Sequence, residues 1–263
     1  MKIIHVIHNE WTKEQVNILS SYGIKVEEGY DRFDIEEGDL YFSLKHLFAK
    51  WAVTESFGTI YNSKDVKESN LLVYVSTWVN GYPQPAETDE YLELTYDLTN
   101  YCNVCGIGAK QDAPFRIKKQ PKWGNKKLFE LEWIFDEIFV RRDVYESVFM
   151  PLGIEPIPVL LYKKDTEIDD TVQLKIPMIN IANRLALENQ PYNICAKCGR
   201  KKYIHKIKGY FPGFTSDIGP LQIFKCNEIF GEQLLAHNKI FITSDLLKNL
   251  HSHKIKPNVW PVR

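Results

Sequence analysis

The chain has almost no net charge, little methionine and no long apolar run. Its 33 Lys+Arg and 34 Asp+Glu leave a formal net charge of -1, which excludes a uniformly basic nucleic-acid domain or an acidic disordered tail. No stretch approaches the roughly 18 apolar residues that a spanning helix needs, so no membrane association is expected. The opening MKIIHVIHNEW has neither the long apolar core nor the small-residue cleavage site of a secretory signal, which predicts a cytoplasmic protein. No HExxH, GxSxG or Gly-rich phosphate loop occurs. The expectation is therefore a protein that is not an enzyme. What is present is the material of a core: 44% hydrophobic and 13% aromatic residues in 263, enough for one large domain or two modest ones.

The near-zero total conceals an uneven distribution. Residues 1–100 carry 8 Lys+Arg against 17 Asp+Glu, and the rest carry 25 against 17. Acidic side chains gather at Glu27, Glu28, Asp31, Asp34, Glu36, Glu37 and Asp39, and basic ones over 110–127 and 197–208. The acidic run is a candidate surface for a basic partner, which electrostatic steering would help to capture.

Residues 1–98 read as an acidic α/β region. KIIHVI is a short strand, and Thr12 with Gln15 forms a capping-box pattern opening a helix that Gly23 stops. Leu47, Phe48, Trp51 and Ala52 recur at helical spacing within 44–57. LLVYVSTWV (71–79) and YLELTYDL (91–98) read as strands, paired as a hairpin across a long loop broken by Asn80-Gly81, Pro83 and Pro85.

From residue 101 the chain repeats itself. YCNVCGIG (101–108) and ICAKCGRKKY (194–203) each open a unit that turns basic. EIFVRRDVYESVFMPLGIEPIPVL (137–160) and KIFITSDLLKNLHSHKIKPNVWPV (239–262) close them. Ile138-Phe139-Val140 matches Ile240-Phe241-Ile242, and Asp143 matches Asp245. Each ending predicts strand, helix, strand, with Asp143 or the Ser244-Asp245 pair as helix cap and Gly153 as the first helix's stop. Tandem duplication explains both the paired motifs and the paired endings.

A CxxC turn lets two sulfurs face one ion, and two such turns complete a four-thiolate tetrahedron. Cys102, Cys105, Cys195 and Cys198 therefore predict one structural zinc, with Gly106 and Gly199 permitting the tight backbone behind each knuckle. The long interval between the pairs requires a folded insertion that brings the second knuckle back. Cys226, in the apolar IFKCNEIF, reads as a small buried hydrophobe, and His205 as a spare ligand that four cysteines make unnecessary. Asp136 and Glu137 in WIFDEIF are neighbours on a strand, so they are expected to face opposite ways and not to act jointly.

The basic runs interleave with aromatics. Arg116, Lys118, Lys119 and Trp123 follow the first knuckle, and Arg200, Lys201, Lys202 and Tyr203 follow the second. Cations hold phosphates and aromatics stack bases, so single-stranded nucleic acid is the alternative partner.

CNVCG and CAKCG, each ahead of a strand–helix–strand ending, resemble the bacterial double-CxxCG motif proteins. DEIFVRRDVYESVF and KIFITSDLLKNL are similar to a segment near the C-terminus of one family of immunity proteins from polymorphic toxin systems. The resemblance covers roughly residues 91–263. It implies an intracellular protein that neutralises a cognate protein toxin by occlusion; it marks the four cysteines and the two IF–Asp segments, and it supplies no catalytic residue. Together these readings predict an α+β protein in which an acidic α/β region (1–98) packs on a duplicated zinc-knuckle region (99–263), with units of about 99–165 and 190–263.

Overall fold

The computed structural model describes residues 1–87 and 90–263. Thr88 and Asp89, which belong to the loop expected between 79 and 91, lie outside the described residues. The chain divides into two compact units, Met1–Asp65 with Lys208–Tyr210, and Val66–Ile207 with Phe211–Arg263. Among the described residues no helix is long and apolar enough to cross a membrane.

The first unit contains β1 (Lys2–Trp11), α1 (Lys13–Ser21), β2 (Gly29–Glu36), α2 (Asp39–Lys50) and β3 (Thr54–Ile60), and α3 (Ser63–Glu68) begins in it. The strands form an antiparallel sheet in the order β2-β1-β3. Alternation sends Ile7, Trp11, Phe33 and Ile35 to one side, where Leu19 of α1 and Tyr41, Leu44 and Phe48 of α2 close the core. The capping box at Thr12 and Gln15 forms as the spacing requires. The second helix begins earlier and ends sooner than expected from 44–57. Ala52 turns at φ 51°, and residues 54–60 leave as a strand that pairs with β1.

The second unit runs β4 (Leu71–Val75), α4 (Tyr91–Thr95), β5 (Tyr96–Asp97), β6 (Lys110–Gln111), β7 (Arg116–Ile117), β8 (Leu128–Leu131) and β9 (Ile134–Arg141). The helical segment α5 (Arg142–Val144) continues as a π-turn, Tyr145–Phe149, and a 3-10 turn, Met150–Leu152. Then come β10 (Glu155–Leu161), β11 (Thr166–Lys175), β12 (Tyr192–Ile194) and β13 (Lys201–Tyr203). The chain ends in β14 (Ile223–Lys225), β15 (Ile240–Thr243), α6 (Ser244–Ser252) and β16 (Asn258–Pro261).

The expected hairpin of 71–79 with 91–98 is not formed. β4 lies between β15 and β16, with Leu72, Val73 and Tyr74 all buried. A continuous apolar run suits such a central strand better than a hairpin arm open on one face. Residues 91–98 become a short helix and a two-residue strand. The first unit takes in Met1–Asp65 and Lys208–Tyr210.

The two endings share a strand order. The larger sheet has the order β7-β10-β11-β9-β8 and the smaller β14-β15-β4-β16. In each, the strands before and after the helix (β9 and β10, β15 and β16) flank one strand antiparallel to both, β11 or β4. In each, a further antiparallel strand borders the outside, β8 or β14. Phe139 pairs with Phe129 and Phe241 with Phe224, their rings stacked at 5.1 and 5.5 Å. One core joins Val140 and Val172 of the larger sheet to Leu72 and Ile242 of the smaller, with Val148 and Leu246 from the two helical segments. The caps differ from expectation. Thr243 caps α6 by accepting the Leu246 N–H, whereas Asp143 lies in the first turn of α5 and pairs with Arg141, and Pro151 and Gly153 cut that helical segment short.

Candidate metal centre

Each CxxC turn sits at the tip of a short antiparallel pair, β5–β6 for the first and β12–β13 for the second. The backbone repeats itself. The first cysteine donates its N–H five residues on, Cys102 to Ile107 O and Cys195 to Arg200 O, and accepts from the glycine four on, Gly106 or Gly199. Gly106 is doubly required: φ is 77°, and a Cβ would lie 1.9 Å from the carbonyl oxygen of Leu234. Strands β7 to β11, a complete sheet, fill the interval between the knuckles.

This closure brings together thiols 93 residues apart. Cys102 Sγ lies 3.8 Å from Cys195 Sγ, and Cys105 Sγ 3.6 Å from Cys198 Sγ. All four sulfurs fall within 4.8 Å of one another. A tetrahedral ion with metal–sulfur bonds of about 2.3 Å sets its sulfurs about 3.8 Å apart. The four cysteines are thus positioned to hold a metal ion, and these separations are much longer than a disulfide.

Four thiolates around a divalent ion would leave an excess of two negative charges, which cations of the basic run after the second knuckle would offset. Arg200 Nε donates to Cys198 Sγ at 3.3 Å and its other arm to Asn100 O at 2.8 Å. That guanidinium pulls the Cys198 thiol down to about 6. Val104 N–H leads the groups that lower Cys102, while burial pushes Cys105 up to about 11. Lys202 is buried, its ammonium donating to the carbonyls of Cys105 (2.7 Å), Gln233 (2.6 Å) and Leu235 (3.0 Å). Lys197 reaches across to Asn103 Oδ1 at 2.7 Å.

The residues expected to bind nucleic acid are not gathered into one surface. Trp123 is buried against Trp78 and Phe129 and has no face for a base. Lys202 and Arg200 serve the knuckles, and Arg116 pairs with Asp165 at 2.7 Å. Lys201 lies over Tyr192 and Tyr203, and Tyr203 packs on Phe230. Lys118 and Lys119 alone of the set are exposed without such engagements.

The acidic run is also divided. Asp31 accepts the N–H groups of Glu27 and Arg32, and Glu36 pairs with Lys2. Glu37 is held by Lys208 and by His5 Nε2, at 2.8 Å from the latter, and Lys208 draws its pKa down. Glu27, Glu28, Asp34 and Asp39 are exposed. Sequence spacing gives no sign of the cluster around His5, whose Nδ1 lies 2.5 Å from Glu55 and whose ring stacks on Tyr41 at 3.8 Å.

His205 is not among the side chains gathered at the metal centre. Its Nδ1 lies 3.1 Å from Lys239 Nζ and 3.4 Å from His237 Nε2. Burial pushes His205 down to about 4, His237 down to about 2 and Lys239 down to about 8. An unfolded imidazole titrates near 6.5. The unfolded chain therefore binds more protons than the native one below that value, and stability falls as pH drops. The expected slope is about 1.4 kcal/mol per pH unit for each imidazole. Urea unfolding from pH 7 to 5 should show that loss, reduced in His237→Gln; equal pH slopes for the two proteins would refute it.

Fold and site together define an α+β protein whose larger unit gathers four cysteines positioned to hold a metal ion. No protein-family model matches the chain, and no curated protein matches it.

Proposed function

We propose that this is a non-catalytic, cytoplasmic protein-binding protein of the immunity type, which occludes a basic cognate toxin with the acidic face of its first unit. Its larger unit is a duplicated double-CxxCG fold stapled by one structural zinc. Zinc suits four thiolates in a tetrahedron, and a closed set leaves no open position for catalysis. Duplication is supported by the common strand order around β9–α5–β10 and β15–α6–β16.

The observation that carries the binding role is the outward side of β2. Tyr30, Arg32, Asp34 and Glu36 alternate there, away from the helices, and Tyr30 is 79% exposed. An exposed aromatic among charged side chains is the composition of an interface anchor with a charged rim. Nucleic acid is the less supported partner, because Trp123 and Lys202 are buried.

The test is capture of partners from host lysate by the tagged full chain, with and without nuclease, alongside a Tyr30→Ala/Asp34→Lys variant. The expected result is one basic protein held at equal stoichiometry after nuclease, weakened by salt, and bound at least about thirtyfold less tightly by the variant. Nucleic acid as the retained species, or a variant that captures as well as the wild type, overturns the reading.

A further inference from the structure

A cavity of about 810 Å³ opens in the larger unit beside the first knuckle, within the size range of small-molecule sites. Gly106–Gly108 and Leu234–Asn238 form one side of it, and β9 and β14 contribute its polar floor.

The floor's charges do not cancel. Lys225 is neutralised by Glu137 at 2.5 Å, and Lys175 at the rim by Glu155 at 2.5 Å. Asp136 remains. One of its oxygens accepts the N–H of Asn238 at 3.1 Å, and among the described residues no cation lies within ion-pair distance of it. Asp136 and Glu137, expected to face opposite ways, both line the cavity.

Two further observations point to a ligand. His237 lines the cavity, is 5% exposed, and has no hydrogen-bond partner for Nδ1. Its Nε2 faces the Lys239 ammonium and so accepts, which leaves the proton on Nδ1 as an unpaired donor. Trp133, at the tip of the β8–β9 turn, holds φ 68°, a conformation that costs a bulky residue energy. There it packs on Tyr91 at 5.8 Å, and both rings, with Tyr96, line the cavity.

We propose that this cavity binds an alkylammonium or guanidinium group, with Asp136 as its counter-ion, the Trp133–Tyr91 wall over its face, and His237 Nδ1–H donating to an oxygen where the ligand carries one. Aromatic faces attract cations, and the half-buried Asp136 carboxylate adds the directional bond. The group comes from a free amine or from a lysine or arginine side chain of a polypeptide. The site is independent of the acidic face of the first unit.

Titration calorimetry on the metal-loaded full chain tests this with agmatine, N-acetyl-lysine methylamide and the neutral N-acetyl-norleucine methylamide. Saturable binding of at least one cationic probe is expected, with the norleucine amide bound at least about tenfold more weakly. Agmatine binding points to a free amine; binding of the lysine amide alone points to a side chain. Asp136→Asn keeps an acceptor for Asn238 N–H, so it should fold and lose at least about tenfold in affinity. Trp133→Gly suits the positive φ and should lose affinity while keeping the fold. No saturation by either cation at millimolar concentration, equal binding of the neutral amide, or unchanged affinity in Asp136→Asn overturns the proposal.

Discussion

Cys195→Ser is expected to release the metal and to unfold the knuckle region of the larger unit. The structural reason is how little else holds that region. The strands flanking the first knuckle are two residues each and those flanking the second three each, far below what a hairpin needs for stability of its own. Structural zinc in small domains contributes about 10–16 kcal/mol of apparent binding energy, and that energy is folding energy where no site exists beforehand. Loss should spread along Lys202, whose buried ammonium ties Cys105 to Gln233 and Leu235 and would lose the thiolates that balance it. The wild type should contain one zinc per chain, and chelation should reproduce the variant. Hydrogen exchange should show protection lost over 96–111 and 192–203 and weakened over 231–236, with β4 and β9 less affected. A variant that keeps its zinc and its melting temperature would refute the four-cysteine assignment.

The knuckles were legible because their determinants are local. Two residues between cysteines and one glycine after them dictate each turn, and the capping box at Thr12 and Gln15 is equally short-ranged. Strand pairing is not local. Residues 71–75 carry a pattern compatible with several positions in a sheet, and only β15 and β16, more than 160 residues away, select the central one. The run 91–98 alternates as a strand would, yet five of its residues take a helical turn, an ambiguity expected of a short segment. The acidic stretch looked like one charged surface because charge was its loudest feature. Its alternate residues Phe33 and Ile35 instead make it a strand, with only part of its carboxylates free.

The cavity was the least visible feature. It draws on positions from 91 to 238, and no short pattern records their meeting. Asp136 and Glu137 illustrate the difficulty. Strict alternation would separate them, but the register between β8 and β9 shifts between Phe129 and Leu131. An irregularity of that kind breaks the alternation of faces beside it.

Lys225→Met should be the second severe variant, for a reason set by burial. The side chains of Lys225 and Glu137 are 10% and 11% exposed, and the carboxylate's other oxygen accepts from Gln173 at 2.9 Å. Removing one member of a buried ion pair strands the other, at a cost of about 3–5 kcal/mol. Burial already holds the Glu137 pKa above its ordinary value, and the Lys225 charge is the main influence opposing it. Without that charge the carboxyl is driven further toward its neutral form. A carboxyl whose folded pKa exceeds its unfolded one stabilises the native state below the unfolded value and loses that contribution as pH rises through the folded value. The deficit of Lys225→Met relative to wild type should therefore grow from pH 5 to pH 8. Glu137→Gln/Lys225→Met, which leaves no charge to bury and keeps an acceptor for Gln173, should recover most of the loss and flatten the pH dependence. Urea unfolding of the three proteins at both pH values decides the matter: a deficit under about 1 kcal/mol, or one insensitive to pH, would mean that solvent reaches this pair and that burial does not govern it.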